Sequence, residues 1–281
     1  MMKRGTSQLG KSPLLLMFVA LLAAVYPGAG SLPLLGAART EPQAHQYKAS
    51  SSKAEPVFTK AKVPFRVGEI LNYRVDWAAF TAAASLRLSI PEQRDLYGQD
   101  AWHFRATAHT LSPVRTLFAI DDQLDSYSDT TSLESRQYEM YLNEMGKRQD
   151  QVLRFVPIGE TARGPGPYVI VLAGTRDPVG VLYALRSVDW QRTQEFRAPV
   201  YDGHRMYQLS AKRDAANDAV TVAAGNFSAS RVAVHLAQNG KEISYINIEI
   251  WLANDEAHTP VQFQAQLPFG NVRAELAPAG Q

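Results

Sequence analysis

Hydrophobic and polar residues alternate with a period of two along many short stretches of this chain. The clearest alternating stretches are Ile70–Trp77, Ser85–Ile90, Trp102–Ala108, Ile243–Leu252, Val261–Leu267 and Val272–Leu276. Successive side chains of a strand point to opposite faces of a sheet, so this period predicts strands with one buried and one solvated face. Strands of that kind favour an antiparallel sheet, because both faces of a parallel sheet are usually covered.

Short turn sequences separate several of the predicted strands. They are Tyr97–Asp100, Asn143–Gly146, Asp202–Gly203 and Asn239–Gly240. Sequences of this type connect hairpin strands, and the whole pattern predicts about eleven to thirteen strands. Because open sheets of more than ~10 strands usually bend or split, we expect a mainly β fold: a large curved antiparallel sheet or half-open β-barrel.

One segment has a helical rather than a strand pattern. Asp177 followed by Pro178 is typical of an N-cap and a first helical position. The apolar residues after it, which include Val179, Leu182 and Tyr183, recur with the spacing of one helix face. The segment therefore predicts a short amphipathic helix of two to three turns over Asp177–Arg186, packed on the concave face of the sheet.

The first thirty residues have the features of a secretory signal peptide. Lys3, Arg4 and Lys11 precede the apolar run Leu14–Val25, and small residues follow at Gly28–Gly30. A membrane-spanning helix needs ~20 apolar residues, and this run is shorter. We expect export to the periplasm or the medium, with cleavage after Gly30 or Ala38 and no transmembrane helix in the mature chain.

The remaining sequence suggests a single folded domain. Residues 31–62 have no hydrophobic period and predict a disordered linker. The alternating stretches place one β-rich domain at residues 63–277, which leaves a short tail at 278–281.

Composition excludes several classes of protein. The chain has no cysteine, which rules out disulfides, thiolate metal sites and a lipid-modified cysteine. Its formal net charge is +2, but loss of Lys3, Arg4 and Lys11 with the signal peptide leaves 26 of 29 basic residues against 27 acidic ones. Without a basic stripe, no nucleic-acid partner is expected.

Catalytic and metal-binding motifs are weak. The six histidines lack the spacing of a helical zinc pair, so we expect no metal and no cofactor. Asp121, Asp125 and Asp129 would share one strand face, either as a polar face that discourages sheet pairing or as a cation site. A hydrolase remains a lesser alternative, since glycosidases use two carboxylates ~5–10 Å apart. Its candidate carboxylates are Glu69, Asp76, Asp122 and Asp255.

Aromatic residues and one arginine are the more informative candidates. The alternation predicts that Tyr73, Trp77, Trp102, Phe104, Tyr245 and Trp251 point inward, as ordinary core or as the lining of a cavity beside the helix. Arg186 is either a partner of the helix dipole or a buried anchor for a ligand head group. The candidate ligand-binding residues are Tyr73, Trp77, Trp102, Tyr183, Arg186 and Trp251.

A succession of short motifs is similar to those of a family of bacterial exported proteins called domain of unknown function 3108. The matching pieces are Val63–Glu69, Leu71-x-Tyr73-x-Val75-x-Trp77, Asp121-Asp122, Tyr127–Asp129, Asp177–Arg186, Ala224–Phe227, Ile250–Asp255, Pro260-Val261 and Gly270–Leu276. The resemblance implies an exported, mostly antiparallel β protein and supplies no catalytic residues. The chain departs from the family pattern at Gly180, near the position where serine is usual, and at Asn226, where threonine is common.

Two functional hypotheses follow, and neither is an enzyme. The first is an exported binding or carrier protein for an amphipathic or lipid-like ligand. The alternative is a cell-envelope assembly or scaffold protein that contacts an envelope protein through a strand edge or the Asp121–Asp129 face.

Overall fold

The computed structural model describes residues 63–162, 166–268 and 270–279, and within them it contains fourteen strands and two helices. The strands are β1 (Ile70–Trp77), β2 (Phe80–Asp95), β3 (Asp100–Thr110), β4 (Asp121–Asp129), β5 (Ser135–Glu144), β6 (Lys147–Pro157), β7 (Tyr168–Val171), β8 (Glu195–Tyr201), β9 (Met206–Val222), β10 (Gly225–Gln238), β11 (Lys241–Glu242), β12 (Asn247–Ala253), β13 (Pro260–Leu267) and β14 (Gly270–Leu276). The helices are α1 (Val114–Leu117) and α2 (Pro178–Arg186).

All fourteen strands belong to one sheet. Its order is β7-β6-β5-β4-β3-β2-β1-β14-β13-β12-β10-β9-β8, with β11 paired to β10. Neighbouring strands are antiparallel apart from β6 and β7, which are parallel. The predicted number of strands was too low, because β7 and β11 have only four and two residues and strands so short show no alternation.

The segment that precedes α2 bridges the edge strand β8 and the start of β5. The backbone N–H of Arg176 donates to Pro199 O at 3.0 Å, and Arg176 O accepts from the N–H of Tyr201 at 2.9 Å. On the other side, the N–H of Ser135 donates to Thr175 O at 3.1 Å. Residues 175–176 thus link β5 to β8 and nearly close the sheet into a barrel, which confirms the predicted fold class.

The predicted strands and turns correspond closely to the observed ones, with one exception. Asn239 and Gly240 both have positive φ, as a two-residue hairpin turn requires. The predicted strand Ile243–Leu252 is wrong in its first half: β12 begins at Asn247, and Tyr245 lies in a turn. Ile243 and Ile246, three residues apart, are both buried, so the apparent alternation there came from a turn.

Helix α2 confirms the predicted position but not the predicted amphipathic character. It follows the N-cap Asp177 and ends at Arg186, and all nine of its residues are buried. The helix packs against β3, β4 and β8 and has no solvent face, since the curved sheet surrounds it. The expectation of a single helix was also wrong, because α1 is a one-turn helix too short for a periodic pattern.

No helix among the described residues is long and apolar enough to cross a membrane. The predicted signal peptide (residues 1–30), the linker (residues 31–62) and the last two residues of the predicted tail lie outside the described residues.

Candidate functional site

Helix α2 is anchored in the barrel by a buried carboxylate at its N-terminus. Asp177 Oδ2 accepts from the hydroxyls of Ser126 and Ser135, at 2.5 and 2.6 Å. Its Oδ1 accepts from the backbone N–H groups of Val179 and Gly180, at 2.9 and 2.8 Å. Burial raises the pKa of Asp177 although these hydrogen bonds oppose the shift. The N-cap therefore fixes both the start of the helix and its contact with β4 and β5.

Gly180 allows the first turn of α2 to approach this serine cluster. A Cβ atom at this position would lie 2.8 Å from Ser135 Oγ, 3.0 Å from Ser128 Oγ and 3.1 Å from Ser126 Oγ. Distances so short leave no room for a side chain unless the serines shift. The close approach explains glycine at this position, where the intrinsic helix propensity is unfavourable.

An aromatic cluster lies between α2 and β3. The aromatic cluster consists of Phe65, Trp102, Phe104 and Tyr183. The ring of Phe65 packs edge-on against the other three, with centroid distances of 5.1 Å to Trp102, 5.4 Å to Phe104 and 5.2 Å to Tyr183. Tyr183 stacks on Phe104 at 3.8 Å with an interplanar angle of 8°. The confirmed burial of Tyr183 and Leu182 means that the helix does present these groups to the interior.

Arg186 places one positive charge beside the aromatic cluster. Its side chain is fully buried and forms a two-point contact with Glu69, with Nη1–Oε1 at 2.6 Å and Nη2–Oε2 at 3.1 Å. Nη2 also donates to Ala257 O at 3.0 Å. The guanidinium carbon lies 5.5 Å from the ring centroid of Phe65 and 5.2 Å from that of Tyr183, within cation–π distance.

The electrostatics of this site keep Arg186 charged. Burial lowers the pKa of the guanidinium, but the hydrogen bonds and charge of Glu69 outweigh it, so the pKa lies above its usual value. Among the described residues, the buried Nε of Arg186 has no acceptor. Burial raises the pKa of Tyr183, partly offset by the charge of Arg186, so this phenol is neutral at physiological pH.

The predicted ligand-binding residues occupy different places. Trp102, Tyr183 and Arg186 meet at the site just described. Tyr73 lies near this site. Burial raises the pKa of Tyr73 and the charge of Arg186 opposes the shift, and the Tyr73 hydroxyl donates to Pro260 O at 2.7 Å. Trp77 is only partly buried and contacts the ring of Phe118 at 5.8 Å, away from the aromatic cluster.

The prediction that Trp251 and Tyr245 point inward is wrong. Tyr245 is 46% exposed. Trp251 pairs across the sheet with Arg231 and Gln262, and directly opposed residues share a face. Its indole N–H donates to Asp218 Oδ2 at 3.1 Å. Trp251 is therefore covered by polar side chains on the outer face, since the local pairing register and not the hydrophobicity of the residue decides its face.

Sequence reasoning missed two members of the site, Phe65 and Glu69, as partners of Arg186. Both precede Ile70, where the alternation starts, so no periodic signal marks them. The available signal was the stretch Val63–Glu69, which belongs to the family resemblance. Phe65 occupies the place between the rings in which a ligand was expected. Two surface pockets, of about 590 and 230 Å³, lie elsewhere, the larger beside Gln99 and Arg136.

Asp121, Asp125 and Asp129 share one face of β4, as predicted, but each is already paired, Asp129 with Arg136 at 3.4 Å. Asp121 contacts Arg115 at 2.7 Å, whose hydrogen bond lowers the pKa of Asp121 to about 2. Asp125 contacts His103 Nε2 at 2.5 Å and Arg105 Nε at 2.6 Å. The described residues contain no group of three or more His, Cys, Asp or Glu arranged to bind a metal ion.

The four carboxylates considered for a hydrolase have separate partners. Glu69 pairs with Arg186, and Asp76 accepts from the N–H of Ala82 at 2.8 Å. Asp122 accepts from the N–H of Asn143 at 3.0 Å. Asp255 caps the turn before Thr259. These contacts give each carboxylate a local structural role.

A family model described as a protein of unknown function, DUF3108, matches residues 72–277. The chain belongs to the DUF3108 family. The match runs from within β1 to the end of β14 and includes the whole of α2. The matched range therefore contains Arg186, whereas Phe65 and Glu69 precede it.

Three solved structures are similar to this DUF3108 protein. One is a β-barrel-like protein of the domain of unknown function DUF1849 from Brucella abortus, with 11% identity, a TM-score of 0.43, and coverage of 74% of this chain and 94% of that one. The second is a proposed lipoprotein from Parabacteroides distasonis (10% identity, TM-score 0.35, coverage 80% and 99%). The third is a proposed exported protein with a YmcC-like fold from Bacteroides fragilis (8%, 0.33, 79% and 98%).

No curated protein matches the chain significantly. The TM-scores of the three structures are all below 0.5, so the fold assignment of this DUF3108 protein depends on its own strand pairing.

Proposed function

We propose that this protein is an exported, non-enzymatic binding or carrier protein for an amphipathic or lipid-like ligand. The observation that carries the proposal is the combination of four packed aromatic rings with a single buried guanidinium, between α2 and β3. Ligand sites in proteins are mostly apolar with a few placed polar groups, and this interior has that composition.

Export is supported by the basic, apolar and small-residue order of residues 1–30. A binding role rather than a catalytic one is supported by the four carboxylates considered for a hydrolase, because each already has a local hydrogen-bond or ion-pair partner. A hydrolytic pair would need two carboxylates facing one cleft, whereas Glu69, Asp76, Asp122 and Asp255 each have a different structural partner.

The experiment is a titration of the purified mature protein with 11-(dansylamino)undecanoic acid, whose fluorescence rises in an apolar environment. Trp102→Ala and Trp251→Ala form a matched pair, because both indoles are 7% exposed but only Trp102 belongs to the aromatic cluster. We expect saturable binding that Trp102→Ala weakens at least tenfold and Trp251→Ala leaves unchanged. Absence of saturable binding, or equal effects of the two variants, would overturn the proposal.

A second candidate function, an envelope scaffold, is favoured by the apolar edge strand β7. Among the described strands only β6 pairs with β7, and Tyr168 and Ile170 are 56% and 64% exposed. An exposed edge can accept an extended segment of another protein as a further strand. A photo-crosslinker at position 170, compared with one at the exposed Met145 in a distant turn, should then give a stoichiometric adduct in envelopes only at position 170.

A further inference from the structure

The segment that precedes β1 enters the aromatic cluster from outside the sheet. Phe65 is 7% exposed, whereas Val67, two residues later, is 47% exposed. The ring therefore reaches inward from a segment that otherwise lies at the surface. No strand or helix includes residues 63–69.

Among the described residues, backbone hydrogen bonds attach this segment to the sheet at its C-terminal end. The N–H of Gly68 donates to Ile90 O at 2.8 Å, and Ile90 donates back to Glu69 O at 3.0 Å. These two bonds extend the pairing of β1 with β2. Among the described residues, no backbone hydrogen bond ties residues 63–65 to the barrel. Phe65 is thus kept in place by its ring contacts, Val63 packs against the core, and the hydrogen bond from Gly68 to Ile90 closes the segment onto the sheet.

The two inward groups of the segment have the chemistry of a small amphiphile. Phe65 supplies an apolar ring that contacts three other rings, and Glu69 supplies a carboxylate that contacts Arg186 at two points. Guanidinium groups bind carboxylates and phosphates in this two-point geometry. Arg186 Nε, buried and without an acceptor among the described residues, is a further donor available to a head group.

We propose that Phe65 and Glu69 act as an internal ligand, which an anionic amphiphile displaces from the aromatic cluster and Arg186. The apolar tail of that ligand takes the place of the Phe65 ring, and its oxyanion head group takes the place of the Glu69 carboxylate. The inference rests on the proposed function and adds the charge of the ligand and the segment that controls access to the site.

Displacement is energetically reasonable because each lost contact has a counterpart in the complex. Leaving Arg186 buried without its carboxylate would be costly, so a neutral ligand cannot replace Glu69. An anionic ligand restores the pairing, and its tail covers the aromatic surface that Phe65 leaves. The site should therefore select for a negative head group.

The test compares 11-(dansylamino)undecanoic acid with its neutral methyl ester, on wild type, Phe65→Ala, Glu69→Gln and the control Val67→Ala. We expect Phe65→Ala to bind the acid at least tenfold more tightly than wild type. Glu69→Gln should raise the preference for acid over ester at least tenfold. Val67→Ala should match wild type.

Competition by oleate and by lysophosphatidic acid then distinguishes a carboxylate from a phosphate head group, and displacement by either agrees with an oxyanion site.

Hydrogen exchange on the wild type gives a second measurement that needs no variant. Saturation with the acid should speed exchange of the Gly68 amide, whose bond to Ile90 closes the segment. Acid binding that is equal in wild type, Phe65→Ala and Glu69→Gln, with unchanged exchange at Gly68, would overturn the internal ligand but leave the proposed function intact. If neither the wild type nor any variant binds the acid or the ester, both the internal ligand and the proposed function are wrong.

Discussion

Arg176 and Val200 form a parallel backbone bridge that joins the segment before α2 to the edge strand β8. The side chain of Arg176 reinforces this junction. Its Nη1 donates to Gly174 O at 2.8 Å and its Nη2 to Ser132 O at 2.9 Å. The guanidinium carbon also lies 5.5 Å from the ring centroid of Phe196. A single residue thus connects the β5 side of the barrel to β8 immediately before the helix that fills it.

Replacement of Arg176 by methionine should therefore destabilise the barrel. Met matches the buried side chain in length but donates no hydrogen bonds, so at least two carbonyls lose a partner, at about 1–3 kcal/mol each. We expect the free energy of unfolding to fall by about 2–4 kcal/mol in urea titrations, with faster hydrogen exchange at Tyr201. Arg197→Met, on the same edge strand but 71% exposed in its side chain, is the control and should change stability little. Equal effects of the two variants would contradict the closing role.

Asp177 should tolerate asparagine much better than alanine. Alanine removes the acceptor for two backbone N–H groups and two serine hydroxyls, whereas an asparagine side chain keeps an oxygen for the helix N-terminus. We expect a loss of about 2–4 kcal/mol for Asp177→Ala and less than about half of it for Asp177→Asn. Urea titration of both variants measures the difference. Equal stability of the two would mean that the N-cap and the serine contacts contribute little.

Gly180→Ala should destabilise the protein, contrary to helix propensity. In an exposed helix this change gains about 1 kcal/mol, but here the new methyl group would lie within 3.1 Å of three serine oxygens. Overpacking of this kind costs about 1–3 kcal/mol. The melting temperature in thermal unfolding shows directly whether the substitution stabilises or destabilises the protein. Ala184→Gly in the same helix is the comparison: it lowers stability through helix propensity and through loss of a buried methyl group. A raised melting temperature for Gly180→Ala would refute the steric argument.

Because of Asp122, the free energy of unfolding should decrease as the pH is raised from acidic to neutral. Burial raises the pKa of Asp122 from 3.8 to about 7, and the nearby charges of Glu144 and Asp121 add to this, while the N–H of Asn143 and the charge of His109 oppose it. The protonated form is favoured in the folded state, so the contribution is fully present below about pH 4. It is lost as the pH rises through about 7, by up to ~4 kcal/mol.

Asp122→Asn should abolish this dependence. The variant should gain stability relative to wild type as the pH is raised from about 4 to about 8, measured by urea titration at each pH. Asp121→Asn is the matched control on the adjacent position. Since Arg115 lowers the pKa of Asp121 to about 2, its stabilising contribution is present above about pH 4 and is lost only as the pH falls toward about 2. A constant difference between wild type and Asp122→Asn across this pH range would contradict the burial effect.

Local patterns in the sequence were sufficient to predict most elements of this protein. The bounds of β1 agree with its alternation, and Asp177 with Pro178 marks the start of α2, because pleat and N-cap geometry depend on neighbouring residues. Hairpin turns such as Asn239-Gly240 are local in the same way.

Only the tertiary structure decided which of these surfaces meet. The bridge from Arg176 to Val200, the outward position of Trp251 and the entry of Phe65 between the rings all join residues that are distant in sequence or are set by strand register. A period of two in the sequence shows that successive side chains lie on opposite faces of a strand. What each face contacts is determined by how whole strands pair. For that reason the sequence identified Arg186 as a candidate, whereas its partner Glu69, 117 residues away, was visible only in the folded chain.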